Sequence, residues 1–232
     1  MDDHILNSVI KLFSKKRNII LIPHSSPDAD ALGSCLALYH FFKSKNEVNI
    51  ISPNEYTEIL NFLPGSEDIL IYENDKVKCE NAFKKADVVF TLDFNSLSRA
   101  RNLSSLISSS SAMTIMIDHH ENPDNYADLT ISNSKMSSTC EMVYDFICSI
   151  DKSKIDNKIA TCIYTGIVAD TGSFRFPSTT SKTLKVGSEL INYGVNVTEI
   201  FEKLHNNFQF KRLKLLGLSL IHISEPTRLP GI

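Results

Sequence analysis

Apolar residues fall into short uninterrupted runs in the first half of the chain and into helical spacing in the second. Asn18–Pro23 (NIILIP) is an apolar run closed by proline and predicts a buried strand. Ala31–Phe42 carries helical periodicity through Leu32, Leu36, Leu38, Tyr39 and Phe42. A second strand fits Glu47–Ser52, and Pro53–Gly65 reads as a short helix and turn. Ala86–Asp93 and Ala112–Asp118 are further apolar runs, each closing on an aspartate. Between them, Leu97–Ser111 reads as a helix running into a serine-rich, solvated loop. Strands alternating with helices at this spacing predict βαβ units, and so an α/β fold with a mainly parallel sheet and flanking helices. From Ser137 onward strand signals fade, and a helical segment is expected. Its helices are Ser138–Ile150, Ile155–Ala169, Lys182–Tyr193, Val197–Leu204 and Phe208–Leu216. Ser137, Ser138 and Thr139 ahead of Glu141 resemble a capping box, and Gly194 suits a C-cap for the third helix. Residues 1–135 then form the α/β core, 136–206 its helical part, and 207–217 a linker helix.

Composition narrows the function without naming it. The chain has 232 residues, 42% of them hydrophobic and 22% charged, which excludes wholesale disorder, collagen and coiled coil. Its net charge of −3 lacks the basic surplus of a protein that coats duplex DNA. A nucleic-acid substrate should therefore be short, or gripped by a metal-centred pocket. Mean hydropathy is −0.08, and no run of about 18 apolar residues predicts a membrane span. The acidic start, Met1-Asp2-Asp3-His4, differs from a basic secretory leader. Cys35, Cys79, Cys140, Cys148 and Cys162 contain no CxxC pair and read as reduced, packed thiols of a cytoplasmic protein.

The candidate chemistry sits where strands end. His24-Ser25-Ser26-Pro27-Asp28-Ala29-Asp30 follows the first strand, and Asp93 closes a later one. Asp118-His119-His120 closes the next, and Asp170 follows a mostly apolar helix. Open α/β sheets collect ligands beyond the carboxyl ends of their strands, so these groups should converge. Taken singly, each has a plainer reading. His24 could be packed or capped, Asp28 or Asp30 could cap a helix, and Asp93 or Asp170 could serve a turn. Taken together, so many carboxylates in one crevice call for bound cations, because like charges disfavour each other's ionisation. Mixed imidazole and carboxylate ligands favour first-row metals such as Mn²⁺. Gly33 and Ser34 open the following helix, whose N-terminus favours an anion.

The segments HSSPDADALGS, TLDFNS, IDHHEN and ADTGSFRF resemble, in order, the four motifs of the DHH phosphoesterase superfamily. They are most similar to its branch of bifunctional oligoribonucleases and phosphoadenosine-phosphate phosphatases. The resemblance implies two divalent ions, Mn²⁺ by expectation, that activate a water against a phosphoester. His24, Asp28 and Asp93 would hold one ion, and Asp30, Asp93, His119 and Asp170 the other, with Asp93 bridging. His120 would face the phosphate or the leaving oxygen, with Asp118 orienting it. Arg175 suits a bidentate phosphate contact or a surface ion pair, and Thr139 and Glu141 match a segment near the site. The implied substrates are short RNA or a 3′-phosphorylated adenosine nucleotide; a homodimer is compatible with this pattern.

Other readings of the same residues are an inorganic pyrophosphatase of the superfamily and a metal-binding module with little activity. The second arises because the family branch carries a further C-terminal substrate domain with a glycine-rich GGGH-type loop, and no two glycines are adjacent here. That domain is expected to be absent. Leu218–Arg228 (LSLIHISEPTR) also resembles a translated sequencing adapter, so Leu218–Ile232 is expected to be a non-native tail.

Overall fold

The computed structural model describes residues 3–205 and 214–220. Its centre is a six-stranded sheet of β1 (Asn18–Pro23), β2 (Glu47–Ser52), β3 (Ile69–Ile71), β4 (Val88–Leu92), β5 (Met113–Asp118) and β6 (Leu129–Ser132). All neighbours pair in parallel, in the order β3-β2-β1-β4-β5-β6. The order reverses between β1 and β4, and their carboxyl ends open a crevice there. Every residue of β4, and all of β1 after Asn18, is buried. That is why these strands read as nearly continuous apolar runs with no regular alternation, Thr91 being the one polar residue buried in β4.

Helices cover both faces. They are α1 (Asp3–Leu12), α2 (Ala29–Phe42), α3 (Lys76–Lys85), α4 (Ser104–Ser109), α5 (Thr139–Asp151), α6 (Asn157–Asp170), α7 (Ser181–Ile191) and α8 (Val197–His205). Alternate strand residues split the core in two. Ile19, Leu21, Phe90 and Ile115 pack with α2, α5, α6 and α7, while Ile20, Ile22, Ile51 and Val89 pack with Cys79, Phe83, Leu103 and Ile107. The closest helix pairing is between α2 and α6. A Cβ on Gly33 would stand 2.6 Å from the carbonyl oxygen of Cys162, so only glycine admits that approach. The five cysteines are free thiols, four of them buried.

Several expectations change in detail. Helix α2 begins at Ala29, earlier than the apolar spacing suggests, because Asp28 caps it. Leu97–Ser111 is not one helix: a 3₁₀ segment, Leu97–Leu103, is broken at Arg101 (φ +48°) before α4. Gly194 (φ +85°) lies beyond the true cap of α7, Asn192, and forms the following left-handed turn. The edge strands β3 and β6 and helices α1 and α3 have no counterpart in the sequence reading. The expected linker and tail fall mostly outside the described residues. Residues 214–220 form a short helix in which Leu215, Leu216, Leu218 and Leu220 are each more than half exposed. Among the described residues, no helix is long and apolar enough to cross a membrane.

Candidate metal centre

The loop from β1 into α2 builds the first part of the site. The imidazole of His24 is buried, with Nδ1 2.9 Å from the carbonyl oxygen of Ser25. That contact leaves Nε2 facing two carboxylates, 3.7 Å from Asp28 Oδ2 and 3.5 Å from Asp93 Oδ2. Nε2 is buried and has no hydrogen-bond partner, the condition of a ligand atom awaiting a cation. Burial opposes charge on this ring, yet Asp28 and Asp93 outweigh it and raise the pKa to about 10. Asp28 divides its two oxygens. Oδ1 caps α2 by accepting from the N–H groups of Asp30 and Ala31, each at 3.0 Å, while Oδ2 faces His24. Capping and ligation are thus both available to one carboxylate.

Asp30 lies buried in the first turn of α2 and is held by the N-terminus of α5. Its carboxylate accepts from the N–H of Thr139 at 2.7 Å and of Cys140 at 2.9 Å. Burial, followed by the nearby charges of Asp93 and Asp170, pushes this carboxyl well above its ordinary range. Asp93, directly after β4, has φ +66°, a left-handed conformation that aspartate tolerates better than most residues. Its Oδ1 accepts from Thr139 Oγ1 at 2.8 Å and stands 3.6 Å from His119 Nε2. Asp93 is thereby the carboxylate shared between the His24 side and the His119 side. His119 Nε2 also lies 3.3 Å from Asp170 Oδ2 at the end of α6. The Asp170 carboxyl is pushed up to about 6, chiefly by burial, with His119 opposing and Asp93 adding to the rise.

Asp118 is fully buried and grips His120, accepting from its Nδ1 at 2.7 Å and its backbone N–H at 3.1 Å. His120 itself is half-buried, with Nε2 3.1 Å from Arg99 Nη1. Three sets of ligand atoms, Asp93/His119/His120, His24/Asp28/Asp93 and Asp30/His119/Asp170, each lie within 4.8 Å of one another. Side chains from the ends of β1, β4 and β5, from the start of α2 and from the end of α6 therefore converge. Two expected contacts stand apart from them. Ser34 is completely buried, its hydroxyl 3.3 Å from Cys140 Sγ, so it packs behind the site and cannot meet a substrate. Arg175 is exposed and donates through Nε to the carbonyl of Gly172 in its own turn, outside all three sets.

Two supports were not visible beforehand. One is Arg99; the other is the pair of backbone donors at Thr139 and Cys140. Ser138 is the N-cap of α5, its hydroxyl accepting from Glu141 N–H at 3.0 Å, while Glu141 Oε2 accepts from Ser137 Oγ and Thr183 Oγ1. Glu141 thus braces the helix that holds Asp30 and is not among the clustered ligands. Replacing Thr139 with valine removes the hydroxyl donor to Asp93 while keeping the shape. The expected result in chemical denaturation is a loss of about 1–3 kcal/mol, the cost of leaving a buried acceptor one partner short.

The family model described as the DHH family, N-terminal domain, matches residues 18–167. The chain belongs to the DHH family. Among its relatives, the bifunctional oligoribonuclease and PAP phosphatase NrnA of Bacillus subtilis is 33% identical over 93% of this chain and 66% of its own length. The Thermus thermophilus protein of the same name is 31% identical over 80% of this chain and 53% of its own length. The chain thus spans about half to two thirds of these DHH relatives. An exopolyphosphatase-related protein from Bacteroides fragilis superposes with TM-score 0.91 at 38% identity, covering 94% of this chain and 65% of that one. A putative family II inorganic pyrophosphatase from Methanococcus jannaschii shares the fold at TM-score 0.59 and 15% identity, over 80% of this chain and 61% of that one.

Proposed function

We propose that this DHH chain carries the metal-binding half of a phosphoesterase that hydrolyses short oligoribonucleotides or 3′-phosphoadenosine 5′-phosphate. The observation that carries the reading is the buried, unpartnered Nε2 of His24 beside Asp93, a carboxylate that also reaches His119. His24, Asp28 and Asp93 suit one divalent ion, and Asp30, Asp93, His119 and Asp170 suit a second. This imidazole and carboxylate set suits first-row divalent ions such as Mn²⁺, Fe²⁺, Co²⁺ or Zn²⁺, and the family resemblance favours Mn²⁺ among them. Bound there, the ions would supply Lewis-acid stabilisation of phosphoryl charge and an activated water. The chain's own residues do the rest. Ser25 and Met136 carbonyls aim the rings of His24 and His119, and Thr139 and Cys140 hold Asp30. Asp118 accepts from Nδ1 of His120 and so fixes the ring at the rim beside Arg99, where the two side chains would face the phosphate or the leaving oxygen.

The names of the relatives favour nucleotide substrates over pyrophosphate, and the pyrophosphatase likeness is one of fold. Calorimetry with Mn²⁺ and a panel of a diribonucleotide, 3′-phosphoadenosine 5′-phosphate and pyrophosphate tests the reading. Tight Mn²⁺ uptake with cleavage of either nucleotide is expected. Turnover of pyrophosphate alone would move the assignment to the pyrophosphatases, and uptake without turnover would leave a metal-binding module. The absence of both uptake and turnover overturns the reading entirely.

Metal loading should also stabilise the fold in a pH-dependent way. The folded-state pKa of His24 is raised to about 10 and that of Asp170 to about 6. Their contribution to ion-free stability is therefore fully present below their unfolded values, and it is lost as pH rises through those folded values. Metal binding needs the same groups deprotonated, so it strengthens over the same range. The gain in Tm on adding Mn²⁺ to chelator-treated protein should thus be larger at pH 8 than at pH 5.5. A gain independent of pH, or larger in acid, contradicts the coupling.

A further inference from the structure

We infer that Arg99 is a phosphate-binding residue of this centre, holding a non-bridging oxygen of the substrate beside His120. The inference rests on the phosphoesterase reading and adds a recognition group to it.

Arg99 sits in the 3₁₀ segment Leu97–Leu103 that follows Asp93, and its mounting is rigid. Its carbonyl oxygen accepts from Ser25 N–H at 2.8 Å, which ties it to the loop carrying His24. Its own N–H bonds the carbonyl of Ser96, and the chain turns away at Arg101 through a left-handed φ of +48°. Arg99 is half-buried, and its Nη1 lies 3.1 Å from His120 Nε2. A guanidinium only donates, so Nε2 is the acceptor in this pair, and a carboxylate–imidazole–guanidinium row runs from Asp118 through His120 to Arg99.

The row leaves the other guanidinium donors of Arg99 open to solvent, since none is a buried unpartnered atom. Of its N–H donors, one meets Nε2 of His120, and among the described residues the guanidinium has no carboxylate partner. This is unusual beside a crevice so rich in aspartate, in a chain of net charge −3. Those aspartates face inward instead. Asp28, Asp30, Asp93 and Asp170 are clustered with imidazoles, and Asp118 is buried against His120. Two divalent ions would balance the four clustered carboxylates, leaving Arg99 as the cation with free donors at the rim. The planar fork of arginine fits two oxygens of a phosphate at once, and a half-buried position strengthens such bonds. Arg175 is a poorer candidate, since its Nε is already committed to Gly172 on an exposed turn.

The test is calorimetric binding of adenosine 5′-monophosphate to the full 232-residue chain loaded with Mn²⁺, with adenosine as the phosphate-free comparison. Arg99→Met should weaken the nucleotide by at least about tenfold, as expected for a charge-assisted hydrogen bond. Arg99→Lys, which keeps charge without the fork, should fall between. Adenosine affinity, Mn²⁺ stoichiometry and Tm should be unchanged. Equal nucleotide affinity in parent and Arg99→Met overturns the inference. So does a parent protein that prefers nucleotide no more than adenosine, or a Tm loss with adenosine and nucleotide weakened alike, which would mark a purely structural role. Failure of the parent to take up Mn²⁺ strikes instead at the metal-centre reading. Nucleotide binding to the ion-free chain then decides on Arg99 by the same comparison.

Discussion

Asp93→Asn should abolish metal-dependent hydrolysis and the Mn²⁺-induced rise in Tm while leaving the ion-free fold intact. Asp93 is the carboxylate that stands within 3.6 Å of both His24 and His119, so loss of its charge weakens both ion positions together. Removing a residue that merely orients a ligand costs about 10–100-fold in metal affinity or activity, and a shared ligand should exceed that range. Asparagine keeps an oxygen for the Thr139 hydroxyl and tolerates the left-handed backbone at position 93. Alanine there would add a backbone penalty of about 1–2 kcal/mol, so it would confuse strain with lost ligation. Titration with Mn²⁺ followed by a thermal melt separates the two. A variant that binds Mn²⁺ as tightly as the parent removes Asp93 from its bridging place.

Gly166→Ala should be the most damaging packing change near the site. A Cβ at this position of α6 would lie 2.2 Å from Cys140 Sγ and 2.7 Å from Asp30 Oδ1. Overpacking of this kind costs about 1–3 kcal/mol, which in a chain of this size lowers Tm by roughly 2–12 °C. The shift also pushes Asp30 away from the two N–H groups of α5, so Mn²⁺ affinity should drop with stability. Adding Cys140→Ala removes the sulfur but not the clash with Asp30. The double variant should therefore recover part of the Tm and little of the metal affinity, a non-additive result expected of contacting residues. Full recovery of both would show that Asp30 is indifferent to the helix behind it.

The candidate ligand residues were readable because strands buried on both faces leave no reason for polar groups at their ends. Ile19–Ile22 is an unbroken apolar run and Val88–Leu92 is interrupted only by the buried Thr91, so His24 and Asp93 stand out just after them. The edges were not readable. Strand β3 is three residues and β6 four, each only partly buried, and such pieces carry too little pattern to separate from loop. Single-residue alternatives also misled in one respect, because Asp28 caps α2 with one oxygen and faces His24 with the other. Arg99 was hidden for a different reason. SLSRAR looks like a solvated helix, and only the return of β5 beside β4 sets His120 against it. The anchors of Asp30 are backbone N–H groups, which no pattern of side chains records. Ser34 was misjudged because a helix start suggests an anion site, whereas α2 buries that residue beneath α5.

The clasp of Asp30 by the first residues of α5 has a bearing on biosynthesis. A polypeptide emerging N-terminus first exposes His24, Asp28 and Asp93 early, yet the donors for Asp30 arrive 109 and 110 positions after it, and Asp170 later still. Before then Asp30 is an unclasped acid among its own kind, and that half of the pocket has no settled shape. Capture of a divalent ion by this cluster would accordingly be a late event on the ribosome, and a translating chain halted before α6 should hold an added ion more weakly than the full chain.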